Sequence, residues 1–402
     1  AKTDCSIAPA SLLNIEAFLA NALQGTWEKR DVMIVDEAHV LSDRAAGFFE
    51  VKLNDLWVPR KTYTKLFFQD KKEKFPKRYY AHESKELDTL VKKLKLKVES
   101  YKERDLPIPV DLTNSINYLS IKGISWVYDQ HNRSLIPINV KNLLERYLLS
   151  YADKVIFMSA TVSPNLCKEL GINSKNSTFL DIESTFLKSN HTIKYDSGVG
   201  NLNVSNIASN IDYISSSILK ARIENQDTRG IVHSTSYNIT EALSEGIARL
   251  CGKLDTTAEA QGFIFHTRDL KLEDLLEKYR NSPNSVLVTP SLCEGFDGKG
   301  ELLRWQVLVK CPYPYLGDPR IKAYTETKFG STLFRERAIS TLLQTLGRGI
   351  RSNTDTCVSY ILDKNIATLL SGCSRKSSPH YTSTSQYFKD LWKSRIVCDN
   401  RS

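Results

Sequence analysis

The stretch Val32-Met33-Ile34-Val35-Asp36-Glu37-Ala38-His39 decides how the rest of the chain is read. Four apolar residues followed by two adjacent carboxylates describe a buried β-strand that delivers negative charge at its C-terminal end. Metal-assisted hydrolysis of a phosphoanhydride needs that pairing. One carboxylate holds Mg2+, usually through water, and the second orients or deprotonates the attacking water. Asp36 is the candidate metal carboxylate, Glu37 the candidate base, and His39 a candidate reporter of nucleotide state. The plainer reading, an acidic cap at a helix N-terminus, fits the full Asp-Glu-Ala-His run less well.

Working outward, short β-branched runs alternate with helical patterns: Val155–Met158, Ile231–Val232, Phe263–Phe265, Val286–Val288, Val307–Val309 and Val358–Leu362. Polar or glycine-containing turns bound each run. They read as strands of parallel sheets covered on both faces, and the alternation gives an α/β class. Thr240–Leu250 places Ala242, Leu243, Ile247 and Leu250 on one helical stripe, with Thr235 or Ser236 available as its cap. The second chemical signal is Gln344-Thr-Leu-Gly347-Arg348-Gly-Ile-Arg351. Read as helix, it sets two arginine forks on one face, suited to phosphate oxygens, with Gly347 allowing close backbone approach. Alone, such a pair is more often a salt-bridging face. Three weaker elements fall between these two signals. Ser159-Ala-Thr161 follows the strand Val155–Met158, Ser234-Thr235-Ser236-Tyr237 closes Ile231–Val232, and Glu294-Gly295-Phe296-Asp297 lies beyond Val288. Each is ordinary turn chemistry by itself; their order gives them weight.

The 402 residues leave room for two or three domains. With 41% hydrophobic and 25% charged residues, the composition is globular rather than disordered. No run approaches the ~18 apolar residues of a membrane span, and no short apolar segment follows a basic N-terminus, so the expectation is neither a transmembrane protein nor a signal-bearing precursor. Lys plus Arg is 55 against 46 Asp plus Glu, a net +9 that favours a polyanionic partner. The excess is concentrated from Val51 to Asp105, which holds 16 Lys/Arg against 9 Asp/Glu. Phe67, Phe68, Phe75, Tyr79 and Tyr80 interleave with those lysines, and Val91–Val98 reads as a basic helix. This stretch is either a solvated helical insertion or a lobe that stacks bases and holds phosphates. Ser371–Ser385 reads as a surface loop. The eight cysteines, from Cys5 to Cys398, contain no C-x-x-C and no zinc-ligand spacing. Such scatter fits reduced cysteines of an intracellular protein, in nucleus or cytoplasm.

Taken in order, D-E-A-H, S-A-T, the hydroxyl-rich strand end, E-G-F-D and Q-x-x-G-R-x-x-R resemble motifs II to VI of superfamily 2 helicases. Leu292–Arg304 followed by Lys310-Cys-Pro-Tyr-Pro-Tyr315, and Glu183-Ser-Thr-Phe186, are similar to the XPD/DinG-like branch. The resemblance implies two RecA-like P-loop NTPase-type domains, the first one incomplete, with a mainly helical arch-like insertion. On that pattern 1–47 and 124–175 form the first domain, 48–123 the basic insertion and 176–402 the second domain. It further implies an ATP-dependent, Mg2+-dependent DNA helicase of 5′-to-3′ polarity, hydrolysing ATP at the interface of its two RecA-like domains. Its partners would be single-stranded or forked DNA and a larger repair, replication or transcription complex, with no membrane. Asp36 then resembles the Mg2+ carboxylate and Glu37 the base. His39 and Gln344 resemble couplers, and Ser159 and Thr161 the link between hydrolysis and DNA movement. By the same resemblance Gly295, Asp297 and Gly347 would lie by the nucleotide, and Arg348 and Arg351 resemble the arginines that reach the γ-phosphate. Ser234, Thr235 and Ser291, with Lys71, Lys72, Lys77 and Arg78, are candidate nucleic-acid contacts.

One departure is clear. The chain has no G-x-x-x-x-G-K-[ST] loop, and Gly298-Lys299-Gly300 lacks both its spacing and its hydroxyl. That loop supplies the N–H cradle and lysine for the β- and γ-phosphates. The expectation is therefore a chain inactive alone, belonging to a longer protein or completed by another polypeptide. A [4Fe–4S] cluster, which many members of the family carry, would have its ligands upstream. A rival reading is a non-catalytic nucleic-acid-binding helicase remnant or partner-binding module. A nuclease using Asp36 and Glu37 is weaker, because no further carboxylate cluster accompanies them.

Overall fold

Continuous apolar runs and capped amphipathic segments alternate along the chain, and they fold into two compact units. One comprises the described residues up to Phe179 together with Tyr315–Leu333; the other holds Leu180–Pro314 and the residues from Phe334 onward. The computed structural model describes residues 14–59, 62, 85–291, 296, 298–327, 330–378 and 380–398. Cys5, Lys71, Lys72, Lys77, Arg78, Gly295 and Asp297 lie outside the described residues.

The first unit runs α1 (Ile15–Leu23), β1 (Arg30–Val35), α2 (Leu41–Phe48), β2 (Val51–Lys52), α3 (Lys85–Glu103), α4 (Val110–Leu119), β3 (Trp126–Asp129), β4 (Ser134–Pro137), α5 (Lys141–Tyr147), β5 (Ala152–Phe157) and α6 (Asn165–Leu170). The Asn14 side chain starts α1 by accepting the Ala17 N–H at 2.8 Å. β1 pairs in parallel with β5, Val32 opposite Lys154 and Val35 opposite Phe157. A separate antiparallel sheet runs in the order β2-β4-β3. The basic segment is helical at α3, as its pattern implies, and it is not detached from the rest. Leu90 and Leu94 of α3 and Leu112 of α4 share one core with Leu19, Phe49, Trp126 and Leu143.

The β1–β5 pair departs from the expectation of two covered faces. Met33, Val35 and Phe157 pack on that core. The alternate residues do not: Val32 is 48%, Ile34 61%, Ile156 47% and Met158 45% exposed. With side chains alternating across a strand, the described residues leave one apolar face of this strand pair uncovered.

The second unit contains β6 (His191–Asp196), α7 (Ile211–Glu224), β7 (Gly230–His233), α8 (Tyr237–Lys253), β8 (Phe263–Phe265), α9 (Leu272–Asn281), β9 (Val286–Thr289) and β10 (Trp305–Leu308). After β10 the chain crosses to the first unit for α10 (Pro319–Thr325). It continues through α11 (Gly330–Leu346), β11 (Cys357–Ile361), α12 (Lys364–Cys373), α13 (Gln386–Lys393) and β12 (Ile396–Cys398). The sheet order is β12-β6-β11-β10-β7-β9-β8, and every pairing is parallel. Both faces are covered. Val232, Val286, Val288 and Val307 pack with α7 and α8, whereas Ile231, Ile264 and Leu287 pack with α9. Leu308 and Ile361 meet α11 to α13. The side chain of Ser236 caps α8 by accepting the Ile239 N–H, and the buried stripe is Ile239, Leu243, Ile247 and Cys251, with Ala242 and Leu250 at its margins.

Sequence reasoning runs the second domain unbroken over 176–402; the structure assigns Tyr315–Leu333 to the first unit. Ala323, Tyr324 and Leu333 of that segment pack on Val127 and Ile138. Their apolar pattern says that they are buried, not against which neighbour.

Candidate nucleotide and nucleic-acid sites

In the first unit the acidic motif emerges where β1 ends. Asp36 and Glu37 are both exposed, and Glu37 adopts a left-handed backbone (φ 47°), uncommon for a residue with a side chain. The turn is held from three sides. The Glu37 N–H donates to Asp36 Oδ1 at 2.8 Å. The Ala38 N–H donates to the Met158 carbonyl and the Met158 N–H to the Val35 carbonyl, each at 2.9 Å, carrying the β1–β5 pairing past the strand ends. His39 Nδ1 lies 3.0 Å from Ser159 Oγ and 3.3 Å from Glu37 Oε2. The Thr161 N–H donates to Ser159 Oγ at 3.2 Å. Asp36, Glu37, His39, Ser159 and Thr161, far apart in sequence, thus form one cluster at the C-terminal edge of a parallel strand pair. Such edges are where α/β sheets bind ligands.

In the second unit, Gln344 is half-buried on α11. The expected shared helical face for Arg348 and Arg351 is corrected by the structure. α11 ends at Leu346, Gly347–Gly349 form a single 3-10 turn, and Ile350 is extended. Two glycines with high helix cost end the helix there. Arg348 is buried, its guanidinium donating to the Phe296 carbonyl, whereas Arg351 is exposed. The Asp355 carboxylate organises this turn. It accepts the N–H groups of Arg351 (2.9 Å), Ser352 (2.7 Å) and Gly300 (3.1 Å). Burial pushes the Asp355 carboxyl up, but these donors outweigh it and hold the group below the usual carboxylate range.

Beneath the same turn runs a buried polar chain across four strands. His191 Nε2 is 2.8 Å from Ser359 Oγ, Gln306 Nε2 donates to Ser359 Oγ at 2.9 Å, and Gln306 Oε1 is 3.2 Å from His233 Nε2. Gln306 Nε2 also reaches the Leu346 carbonyl at 3.4 Å, one residue before Gly347. Burial lowers both histidines to about 4, so the chain is neutral.

At the ends of β7 and β9, His233 stands opposite Thr289. Ser234 is buried, with its hydroxyl 2.6 Å from that of Thr240, so its side chain serves the fold. Thr235 is half-buried in a left-handed turn (φ 66°), and Ser291 is exposed with its N–H on Thr289 Oγ1 at 3.2 Å. Thr289 Oγ1 also lies 2.8 Å from Nδ1 of the buried His266. Sequence reasoning missed His266, Asp355 and Gln306. His266 alone left a signal, a polar residue directly after the apolar run Phe263–Phe265.

Among the described residues no group of three or more His, Cys, Asp or Glu side chains is placed to hold a metal ion. Asp36 is an exposed carboxylate beside Glu37 at a strand end, which fits a Mg2+ held mostly by water and phosphate oxygens. Cys167, Cys251, Cys311, Cys357, Cys373 and Cys398 are free and form no such set. No helix among the described residues is long and apolar enough to cross a membrane.

Comparison with known proteins adds three findings. Residues 219–374 match the family described as helicase C-terminal domain. Over 289 residues the chain is 27% identical to the ATP-dependent DNA helicase YoaA of Haemophilus influenzae, covering 67% of this chain and 42% of that protein. The chain thus spans under half the length of this curated relative. Among solved structures, S. tokodaii Xpd4 aligns with a TM-score of 0.55 at 18% identity, over 86% of this chain and 74% of that one. An XPD helicase aligns at 0.53 and 18% identity, over 92% and 68%.

Proposed function

We propose that this chain is an XPD/DinG-like protein of superfamily 2 that works in ATP-driven movement along single-stranded DNA, a reading supported by its match to a helicase C-terminal domain and its XPD-like fold. The observation that carries the reading is the cluster at the end of β1, where His39 and Ser159 join the acidic and Ser-Ala-Thr motifs at 3.0 Å. Glu37 is the base that orients and deprotonates the attacking water, and Asp36 holds hydrated Mg2+. When bound, that ion neutralises charge on the β- and γ-phosphates. Arg348 and Arg351 stabilise charge developing on the transferred phosphoryl group. His39 contacts both Glu37 and Ser159, so a change at the carboxylate reaches the Ser159–Thr161 turn. Ser291 and Thr235 grip the phosphodiester backbone, and movement is 5′-to-3′.

The β- and γ-phosphates also need a G-x-x-x-x-G-K-[ST] cradle, which these 402 residues do not contain. The test therefore uses the protein as isolated from its natural source. ATP hydrolysis that single-stranded DNA stimulates supports the reading. DNA binding with no hydrolysis at any DNA concentration overturns it in favour of a non-catalytic nucleic-acid clamp.

A further inference from the structure

The segment Tyr315–Leu333 leaves the second unit, packs into the first and returns. Its neck is pinned: Tyr313 and Phe334 stack with ring centroids 5.4 Å apart and planes 3° from parallel. Just before the neck, the Cys311 N–H donates to Asp363 Oδ2 at 2.8 Å. Asp318 starts α10, its carboxylate accepting the Arg320 and Ile321 N–H groups at 2.7 and 3.2 Å. The excursion is thus fixed at its neck and at the start of α10.

At its centre lies Arg320, a buried cation that no nucleotide or nucleic-acid motif accounts for. Its Nε–H donates to the Pro137 carbonyl at the end of β4 (3.0 Å), and one terminal nitrogen reaches the Ser42 carbonyl (3.4 Å) and hydroxyl (3.1 Å). The other terminal nitrogen pairs with the Asp43 carboxylate. Ser42 and Asp43 form the first turn of α2, which directly continues the 3-10 turn Ala38–Val40 that carries His39. The Val40 N–H in turn donates to the Glu37 carbonyl at 3.1 Å. A planar fork that donates to acceptors in three directions is a rigid clamp, which a lysine cannot reproduce.

We infer that Arg320 is a positioning residue for hydrolysis. It clamps the first turn of α2 and, through it, fixes the turn that presents Asp36, Glu37 and His39. The clamp sits on the same covalent segment that joins β10 to α11, the helix leading to Arg348. The inference rests on the hydrolytic reading above, and its first readout is independent of that reading.

The test compares Arg320→Lys, Arg320→Ala and Asp43→Asn in the protein as it occurs in its source. Asp43 is 45% exposed, so Asp43→Asn tests the clamp even where Arg320→Ala fails to fold. Hydrogen exchange is read for residues 36–48, with 357–373 as a control. The clamp predicts exchange about tenfold faster in 36–48 and unchanged in the control. Unchanged exchange in 36–48 in folded Asp43→Asn or Arg320→Lys overturns it. In DNA-stimulated turnover it predicts kcat lower by about tenfold, with KM for ATP and DNA affinity within about twofold of wild type, and partial recovery in Arg320→Lys. Unaltered kcat in a folded Arg320→Ala variant likewise overturns it. A wild-type protein without DNA-stimulated turnover removes the hydrolytic reading, while the exchange result still decides the clamp.

Discussion

The two parallel sheets are written in nearly the same alphabet and end up in different surroundings. β9, Val-Leu-Val-Thr, is buried along its whole length, whereas β1, Arg-Asp-Val-Met-Ile-Val, exposes Val32 and Ile34 on one face. An unbroken apolar run states that both faces can be covered; the neighbouring elements decide whether they are. The functional consequence differs too. In the second unit the turn bearing Arg348 rests on a closed core and on a polar chain buried in the sheet. In the first, the turn bearing Asp36 and Glu37 is held by contacts at its own ends, to Met158 and Ser159. The carboxylates proposed for hydrolysis end β1, and Arg320 adds contacts to the first turn of the helix that follows them.

Acid should break the contrast most strongly. His191 and His233 are held neutral, with pKa lowered from 6.5 to about 4 by burial. Between these values the unfolded chain binds more protons than the folded one. The stabilisation is therefore present above pH 6.5 and lost as pH falls from 6.5 toward 4, worth about 3 kcal/mol per histidine at most. Exchange protection of β6 and β7 should fall in that window. Replacing Gln306 by Leu, which leaves both histidines without their shared bridge, should not restore it; protection indifferent to pH between 6.5 and 4 would show that the chain is not buried as described.

Truncation sharpens the same comparison with a smaller effect. Leu287→Ala in β9 should cost about 2–5 kcal/mol in denaturant unfolding of the second unit. Ile34→Ala in β1 should cost less than about 1 kcal/mol in the first, since its side chain already meets solvent. Equal costs would mean that the exposed face of β1 is covered in solution. A further effect is a local one. Ser236→Ala removes the cap of α8 and should cost about 1 kcal/mol, lowering the thermal midpoint without altering DNA affinity. A loss of DNA affinity instead would assign the Ser236 hydroxyl to the nucleic acid.

The seven strands announced by apolar runs are all present, because each is short, β-branched and bounded by turn residues. β2, β3, β4, β6 and β12 escaped notice. His191-Thr-Ile-Lys-Tyr-Asp196 carries polar groups at positions that prove internal, such as the His191–Ser359 contact, and a partner on another strand cannot be read from local pattern. The cluster at Asp36 was legible because its residues end strands whose apolar runs are visible. Arg320 and Gln306 were not, since their contacts lie tens to hundreds of residues away, and Asp355 was not, since its link to Gly300 joins loops 55 residues apart. The arginine pair shows the opposite failure, where a three-residue spacing suggested one helical face and two glycines ended the helix first.

Turnover by Glu37→Gln, in the protein as it occurs in its source, tests the central claim most directly. The account predicts that DNA-stimulated ATP hydrolysis falls to background while nucleotide and single-stranded DNA still bind. Hydrolysis at the wild-type rate would contradict it and take Glu37 out of the chemistry.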